Sequence, residues 1–600
     1  MVGLRGAAVV VIVVLLATVL LAPGLGRAPF DDPGEGQHAE IAREVLGGSW
    51  VTLRLNGVRY FDKPPLLYWL TAASFSVFGL TEWAARLAPL AGALLAVAGT
   101  ALLGVRLLGP GGGLLAGAAL LSCALFAAYA RYVRPETLFV AGIQWGFTGL
   151  LLAVVDRAAG PGPRRAPPPG RRDEPSAGGV SGYALVGCAA LGGAALAKDP
   201  LGLLGPLAAV TLALLLAGRL RPIRVWLPTI GLGLLLLIGV GWYVVAATTE
   251  PSFLWYTVVD NHVLNVARLR VFPDEDVPLS ALEFVAAAGF GAFPWILAAA
   301  VAGTALVRAR AWRDPAELPW VALALWAAGV LVLFTLSPFK LPHYGLPAYP
   351  ALALLAARAW RDAAARPRGL IGLHLVPFAL LGSALGWAAA TGGHGFTEAV
   401  FGISDVYTRK EAALGQAPPY PPWPVLRPLL VETSVVLLGG AVGLAVTAVR
   451  RSARAGAAVV AVVMLLLVPL VGQSLDATSS ARSVAPMAAE IRARLGPGDV
   501  LVLEGPIENA GAVELYSGHR PVLLDGTRSV LGIGSTFPDA AGSFWSADRF
   551  REAWASSRPP YLLTGREVAR SVVSSLPPGS VQRLAAHNGR WLYGRARDVQ

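Results

Sequence analysis

Apolar residues run through most of this chain in unbroken blocks rather than in stripes. Ala7–Ala22 and Val225–Thr248 hold almost no ionisable group, and runs of that length cross hydrocarbon as helices. A single run of this kind fits a buried core helix equally well; a series spread over most of the chain fits a membrane. The pattern predicts thirteen spans, at about 6–23, 83–107, 110–129, 136–155, 180–196, 200–217, 225–247, 283–307, 318–336, 345–359, 369–390, 428–449 and 456–473. Pro64–Phe78 is short and aromatic, with Tyr68, Trp69, Phe75 and Phe78, and reads as a helix lying on the membrane surface.

From about Ser474 the pattern changes to that of a water-soluble α/β domain. It predicts helices at 487–495, 510–516, 547–556 and 566–575, and strands at 500–503, 521–524 and 561–564. The organisation is therefore a membrane domain over 1–473 and a soluble domain over 474–600. An outer loop spans 24–82, and a Pro/Gly/Arg-rich cytoplasmic linker spans 156–179. The fold class is a polytopic α-helical membrane protein with a C-terminal extracytoplasmic α/β domain. No internal repeat is visible, which weighs against a transporter or lipid flippase built from paired halves.

Composition agrees: 55% of residues are hydrophobic and 14% charged, and the mean hydropathy is +0.59. The net charge of +12 would suggest nucleic acid if it were clustered, but it sits in short loops between apolar runs. Arg5, Arg106, Arg157, Arg219, Arg308, Arg358 and Arg450 mark alternate loops, so thirteen spans put every one of them on one side. The positive-inside rule makes that side cytoplasmic, with the C-terminus outside. The N-terminal run then reads as an uncleaved first helix rather than a signal peptide. Cys123 and Cys188 lie within apolar runs and report no redox compartment. Gly532-Ile-Gly534 is too short to make a dinucleotide loop.

The polar residues of the outer side gather in a few places. They are Asp31, Asp32, Glu35, His38 and Glu40, then Tyr60, Asp62 and Lys63, then Arg131, Arg134 and Glu136. Lys198-Asp199, Asp260-Asn261-His262 with Arg268 and Arg270, and Lys340 with His343 complete the set. Ionisable groups at a bilayer edge pair with one another or line a functional cavity. Lysine occurs only at 63, 198, 340 and 410 in a chain that otherwise uses arginine, which suits point-charge contacts to phosphate.

The block His38-Ala-Glu40-Ile-Ala-Arg43-Glu44, with Arg54-Leu-Asn56-Gly57 and Tyr60-Phe-Asp62-Lys63-Pro64-Pro65, resembles the bacterial transferases that put aminoarabinose on lipid A. These belong to the GT-C superfamily, together with the protein O-mannosyltransferases. Ala195-Leu-Ala-Lys198 and Lys340-Leu-Pro342-His343-Tyr344 resemble later motifs of the group. The resemblance implies inverting transfer of one sugar from a polyprenyl phosphate, such as undecaprenyl phosphate, at the outer face of the bacterial inner membrane. The acceptor would be a lipid A-like lipid, a glycan or a protein.

Such a reaction needs a general base for the acceptor hydroxyl and cations for the departing phosphate. Glu35 matches the acid pair that opens the family motif, but Gly34 stands where the family has aspartate. Glu35, Asp32 and Asp31 are all candidates for the base. Glu136 matches the family's second acidic residue, with Lys198 as its partner. The resemblance gives Lys63, Arg268, Arg270 and Lys198 to the donor phosphate, and Asp62, Tyr60, His38, Lys340 and His343 to the pocket. The motifs name no certain cofactor; a divalent metal is one option, for which Asp62 and His262 together offer two ligands, a thin site.

Overall fold

The computed structural model describes residues 3–158, 181–219, 227–273, 277–393, 395, 400–401, 408–410 and 419–596. Residues 159–179 of the expected linker lie outside them, as do Arg221 and Arg224 of the arginine-bearing loop after Arg219. Each apolar run predicted as a span is helical. Among the described residues eight helices are long and apolar enough to cross a bilayer, and a bent pair makes a ninth. The protein is a multi-pass membrane protein.

Three runs differ from single straight spans, each for a local reason. The run at 283–307 is two helices, Ala281–Gly291 and Trp295–Arg308, bent by 103°. Pro294 opens the second; a proline lacks the N–H needed to continue a helix and crowds the preceding turn. The run at 110–129 breaks between Leu121 and Ala124, where the Ser122 hydroxyl receives the indole N–H of Trp295 at 3.0 Å. The run at 345–359 starts as a 3₁₀ stretch, Pro342–Ala348, and becomes the helix Tyr349–Asp362. Pro347, inside the stretch, removes a donor that an α-helix would require there.

Small residues set the helix spacing. A Cβ on Gly142, in helix Glu136–Ala158, would stand 2.7 Å from the carbonyl of Ala190 in helix Gly182–Ala197. Backbones this close gain van der Waals contact that larger side chains forbid, the usual adhesive between membrane helices. This packing holds Glu136 and Lys198 at facing helix ends.

The outer loop is compact. It contains helix Gly36–Gly47, a two-stranded hairpin (Arg54–Leu55 with Val58–Arg59) turning at Asn56-Gly57, and helix Leu66–Phe78. Asn56 and Gly57 both have positive φ (56° and 75°), the backbone a tight two-residue turn demands. The C-terminal region forms a six-stranded sheet. Phe544–Trp545, Val522–Leu524, Leu501–Glu504 and Tyr561–Thr564 run parallel, and Arg590–Arg595 and Val581–His587 add an antiparallel hairpin at one edge. The three predicted strands are present. The edge hairpin and Phe544–Trp545 were not predicted, and the helix expected at 566–575 is two 3₁₀ turns, Val568–Arg570 and Val572–Ser575.

The sheet domain sits on the outer loop through buried polar contacts. Both oxygens of Asp32 accept backbone N–H groups, from Val484 at 3.0 Å and Ala512 at 3.1 Å. Asn56 donates to the carbonyl of Pro521 at 3.0 Å, and Arg43 bridges Glu40 and Glu514 at 2.5 and 2.7 Å. The loop is thereby fixed over the ends of the membrane helices.

Candidate active site

A cavity of about 990 Å³ opens beneath the outer loop. Its upper part is polar and rich in cations. Its lower part is an apolar slot between two membrane helices, lined by Gly205, Ala209 and Leu212 of Leu201–Leu216 and by Trp326, Val330 and Leu333 of Leu318–Leu336. Each set recurs every three to four residues, so each is one face of its helix.

Glu136 begins helix Glu136–Ala158 and faces the chamber. One oxygen stands 3.3 Å from the Lys198 ammonium and 3.3 Å from His343 Nε2. Its other oxygen, Oε2, is buried and makes no hydrogen bond among the described residues. Lys198 ends its own helix and is held further by the rings of Tyr344 and Phe139, 5.2 and 5.7 Å away.

Asp62 and Lys63 form a second pair, 2.5 Å apart, and Asn261 donates to the other Asp62 oxygen at 3.1 Å. Burial pushes the Asp62 pKa up, but Lys63, Arg270 and the Asn261 hydrogen bond outweigh it and hold the group at about 2. Arg270 is aimed by Asp260 at 3.5 Å, and Asp260 is itself fixed by the Val271 N–H at 2.6 Å.

His38 starts a buried chain of donors. Arg134 donates to its Nε2 at 3.5 Å, so its Nδ1 carries the proton and donates to Tyr68 at 3.0 Å; Tyr68 then donates to Tyr60 at 3.2 Å. Burial, reinforced by repulsion from Arg134 and Lys63, keeps His38 well below its ordinary pKa and therefore neutral.

The structure brings together Glu136, Lys198, His343, Lys63, Asp62, Tyr60, His38, Arg270 and His262 around one cavity. It places five other residues named from the sequence outside the lining. Glu35 is wholly buried in an ion pair with Arg86 at 2.6 Å, and also accepts the Val133 N–H at 2.9 Å. Asp31 accepts from the Tyr132 hydroxyl, and Asp32 is committed to the C-terminal domain. Arg268 is exposed in a left-handed turn with φ of 58°. Lys340 is buried and donates to the carbonyl of Thr335 at 3.1 Å. The two residues named as metal ligands have other partners. Asp62 engages Lys63 and Asn261, while His262 engages the Thr257 carbonyl at 2.6 Å and Asp199 at 3.3 Å. Both side chains are thus engaged by protein partners in this structure.

Sequence reasoning gave no role to Arg134, Asp199 or Tyr68, although each adjoins a residue it did choose. It also missed Lys410 and Glu508, which reach the cavity from the far end of the chain. The scarcity of lysine was the one signal pointing to Lys410.

The Dolichyl-phosphate-mannose-protein mannosyltransferase family model matches residues 62–158, which include Asp62, Lys63 and Glu136. The undecaprenyl phosphate-alpha-4-amino-4-deoxy-L-arabinose arabinosyl transferase of Serratia proteamaculans is 26% identical over 360 residues, covering 58% of this chain and 59% of that protein. The enzyme of the same name from Pseudomonas aeruginosa is 29% identical over 335 residues, 54% of each. The chain thus spans somewhat over half the length of the curated relatives it matches. The crystal structure of ArnT from Cupriavidus metallidurans bound to undecaprenyl phosphate superposes with a TM-score of 0.76, covering 97% of both chains at 22% identity. The chain has the GT-C fold. Its apo counterpart superposes equally well, with a TM-score of 0.75.

Proposed function

We propose that this protein is an inverting glycosyltransferase that moves one sugar from a polyprenyl phosphate to a membrane-lipid acceptor. The observation that carries the reading is the shape of the cavity: a cationic chamber joined to an apolar slot between two membrane helices. That is the shape of a ligand with an anionic head and a long hydrocarbon tail. The relatives named for sugar transfer from undecaprenyl phosphate, and the undecaprenyl phosphate bound to ArnT, support this reading over a transporter or flippase. A glycan or protein hydroxyl is the broader acceptor class.

The tail lies in the slot, and the phosphate meets Lys63, Arg270 and Arg134. The acceptor hydroxyl attacks the anomeric carbon from the face opposite the phosphate. The new carbon–oxygen bond forms as the bond to the phosphate oxygen breaks. The hydroxyl proton passes to Glu136, whose Oε2 accepts no hydrogen bond among the described residues. Asp62, held at a pKa of about 2, is too weak a base for that task and serves to set Lys63 in place. Charge building on the departing phosphate is balanced by fixed cations, so little reorganisation accompanies the step.

The arginine bias of alternate loops supports thirteen crossings, a cytoplasmic N-terminus, and a chamber facing the extracytoplasmic side of the bacterial inner membrane. Mass spectrometry of envelope lipids from cells with and without the gene tests the function. A glycosyl unit lost from the lipids, with a polyprenyl-linked sugar accumulating, is the expected result. Unchanged lipids with no accumulation would overturn it.

A further inference from the structure

A second cavity, of about 650 Å³, lies between the outer ends of two neighbouring helices. Helix Trp423–Val449 supplies Val425, Pro428, Leu429 and Glu432, a single stripe along its length. Helix Ala453–Arg482, running the opposite way, answers with Gln473, Asp476 and Ser480 on a similar spacing. Arg27, from the loop after the first helix, stands at the same groove.

Glu432 is the residue without an evident reason. It interrupts an apolar helix, is exposed, and makes no hydrogen bond or ion pair among the described residues. A carboxylate within a membrane helix is expensive and marks function by default. Val449, next to Arg450 and Arg451, is about 17 residues further on, or ~26 Å at 1.5 Å per residue. The hydrocarbon of a bilayer is about 30 Å thick, which puts Glu432 at the headgroup boundary on the side away from those arginines.

A groove at that depth with Glu432 and Asp476 facing it, and Arg27 beside them, complements a zwitterion. An ammonium suits the carboxylates and a phosphate suits the guanidinium. Asp476 is shared with Arg131, 3.8 Å away, whereas Glu432 is left for a ligand. Below it, Val435 and Val442 are exposed on the same helix, 64% and 66%, as acyl chains require. We propose that this groove binds a phospholipid with a primary ammonium headgroup, of the phosphatidylethanolamine class, independently of the transferase cavity.

Native mass spectrometry of the full-length protein, titrated with phosphatidylethanolamine, phosphatidylglycerol or phosphatidylcholine, tests this. Phosphatidylethanolamine should be retained about tenfold over the other two, the worth of one charge-assisted hydrogen bond. Glu432→Gln should remove that preference. Arg27→Gln should lower retention of all three lipids, which share the phosphate, and it serves as the test if the first variant does not fold. Equal retention of the three lipids by the unaltered protein, or retention unchanged by these substitutions, overturns the proposal.

Discussion

The hydroxyl of Tyr132 fills the space into which a side chain at Gly34 would project. A Cβ built on Gly34 overlaps that oxygen, and the hydroxyl in turn donates to Asp31. The glycine is thus matched to its neighbour, and the aspartate of the resembling family cannot simply be restored. Gly34→Asp should lower thermal stability by about 1–3 kcal/mol, the usual cost of overpacking. Adding Tyr132→Phe, which removes the overlapping oxygen, should recover part of the loss. A melting series in detergent on the three variants checks this; full stability of the single variant would contradict it.

Glu35 and Glu136 should separate in kinetics. Glu136→Gln keeps the size of the side chain but removes the proposed proton acceptor, so kcat should fall by about 10²–10⁴ with little change in KM for the donor. Glu35→Gln leaves Arg86 without its buried counterion, and breaking such a pair costs about 3–5 kcal/mol. Its effect should appear as a lower melting temperature and lower yield, with the residual enzyme turning over normally. A Glu35 variant that is stable but inactive would return the base to the outer loop.

The sequence spoke clearly wherever one physical rule acted alone. Membrane runs obey hydrophobic length, and every such run became helix. Where proline cut across that rule, at Pro294 and Pro347, hydropathy counted straight spans and the backbone turned instead. The edge hairpin was legible in principle, since Asn588-Gly589 is a strong signal for a tight turn, but its strand Val581–His587 alternates too weakly to be noticed. For the site, residue type located the right loops but could not tell outward from inward. Glu35 and Glu136 are both buried acids beside a helix start, and only packing shows that one faces Arg86 and the other a cavity. Lys340 looked like Lys63 and Lys198 for the same reason. Glu508 becomes a site residue only through the docking of the C-terminal domain, and Lys410 reaches the cavity beside that domain, donating to Asn509 at 3.3 Å.

Lys63 and Lys198 line one cavity but have different companions, so their losses should differ. Lys63 sits beside Asp62, Asn261 and Arg270, the proposed site of the donor phosphate, while Lys198 holds Glu136. Lys63→Ala should raise KM for the polyprenyl-linked donor about 10–100-fold, the range for losing a hydrogen bond to a charged group. Lys198→Ala should act mainly on kcat, because it removes the cation that holds the proposed base, Glu136, in place. Donor titrations that separate kcat from KM distinguish the two. Identical effects would mean that both lysines serve the phosphate.

The junction between the outer loop and the sheet domain should respond to pH through Asp32. Burial pushes its pKa from 3.8 to about 7, against the opposing pull of Arg590 and of the Val484 and Ala512 N–H groups; Asp31 adds to the rise. A carboxyl whose folded pKa is raised binds its proton more tightly in the folded state. Stability is then highest below the unfolded value, falls as pH rises from about 4 to about 7, and levels off above that. Glu40, also raised to about 7 by burial, and Glu44 act in the same direction nearby. Melting temperature should therefore decline across this window, and Asp32→Asn should flatten part of the decline while Glu40→Gln flattens another part. Asparagine keeps one oxygen acceptor and loses the second, so the variant should be somewhat less stable than the unaltered protein at pH 4 and closest to it at pH 8. A melting curve for Asp32→Asn that parallels the unaltered protein at every pH would show that the carboxyl stays ionised throughout, with its two backbone donors outweighing burial.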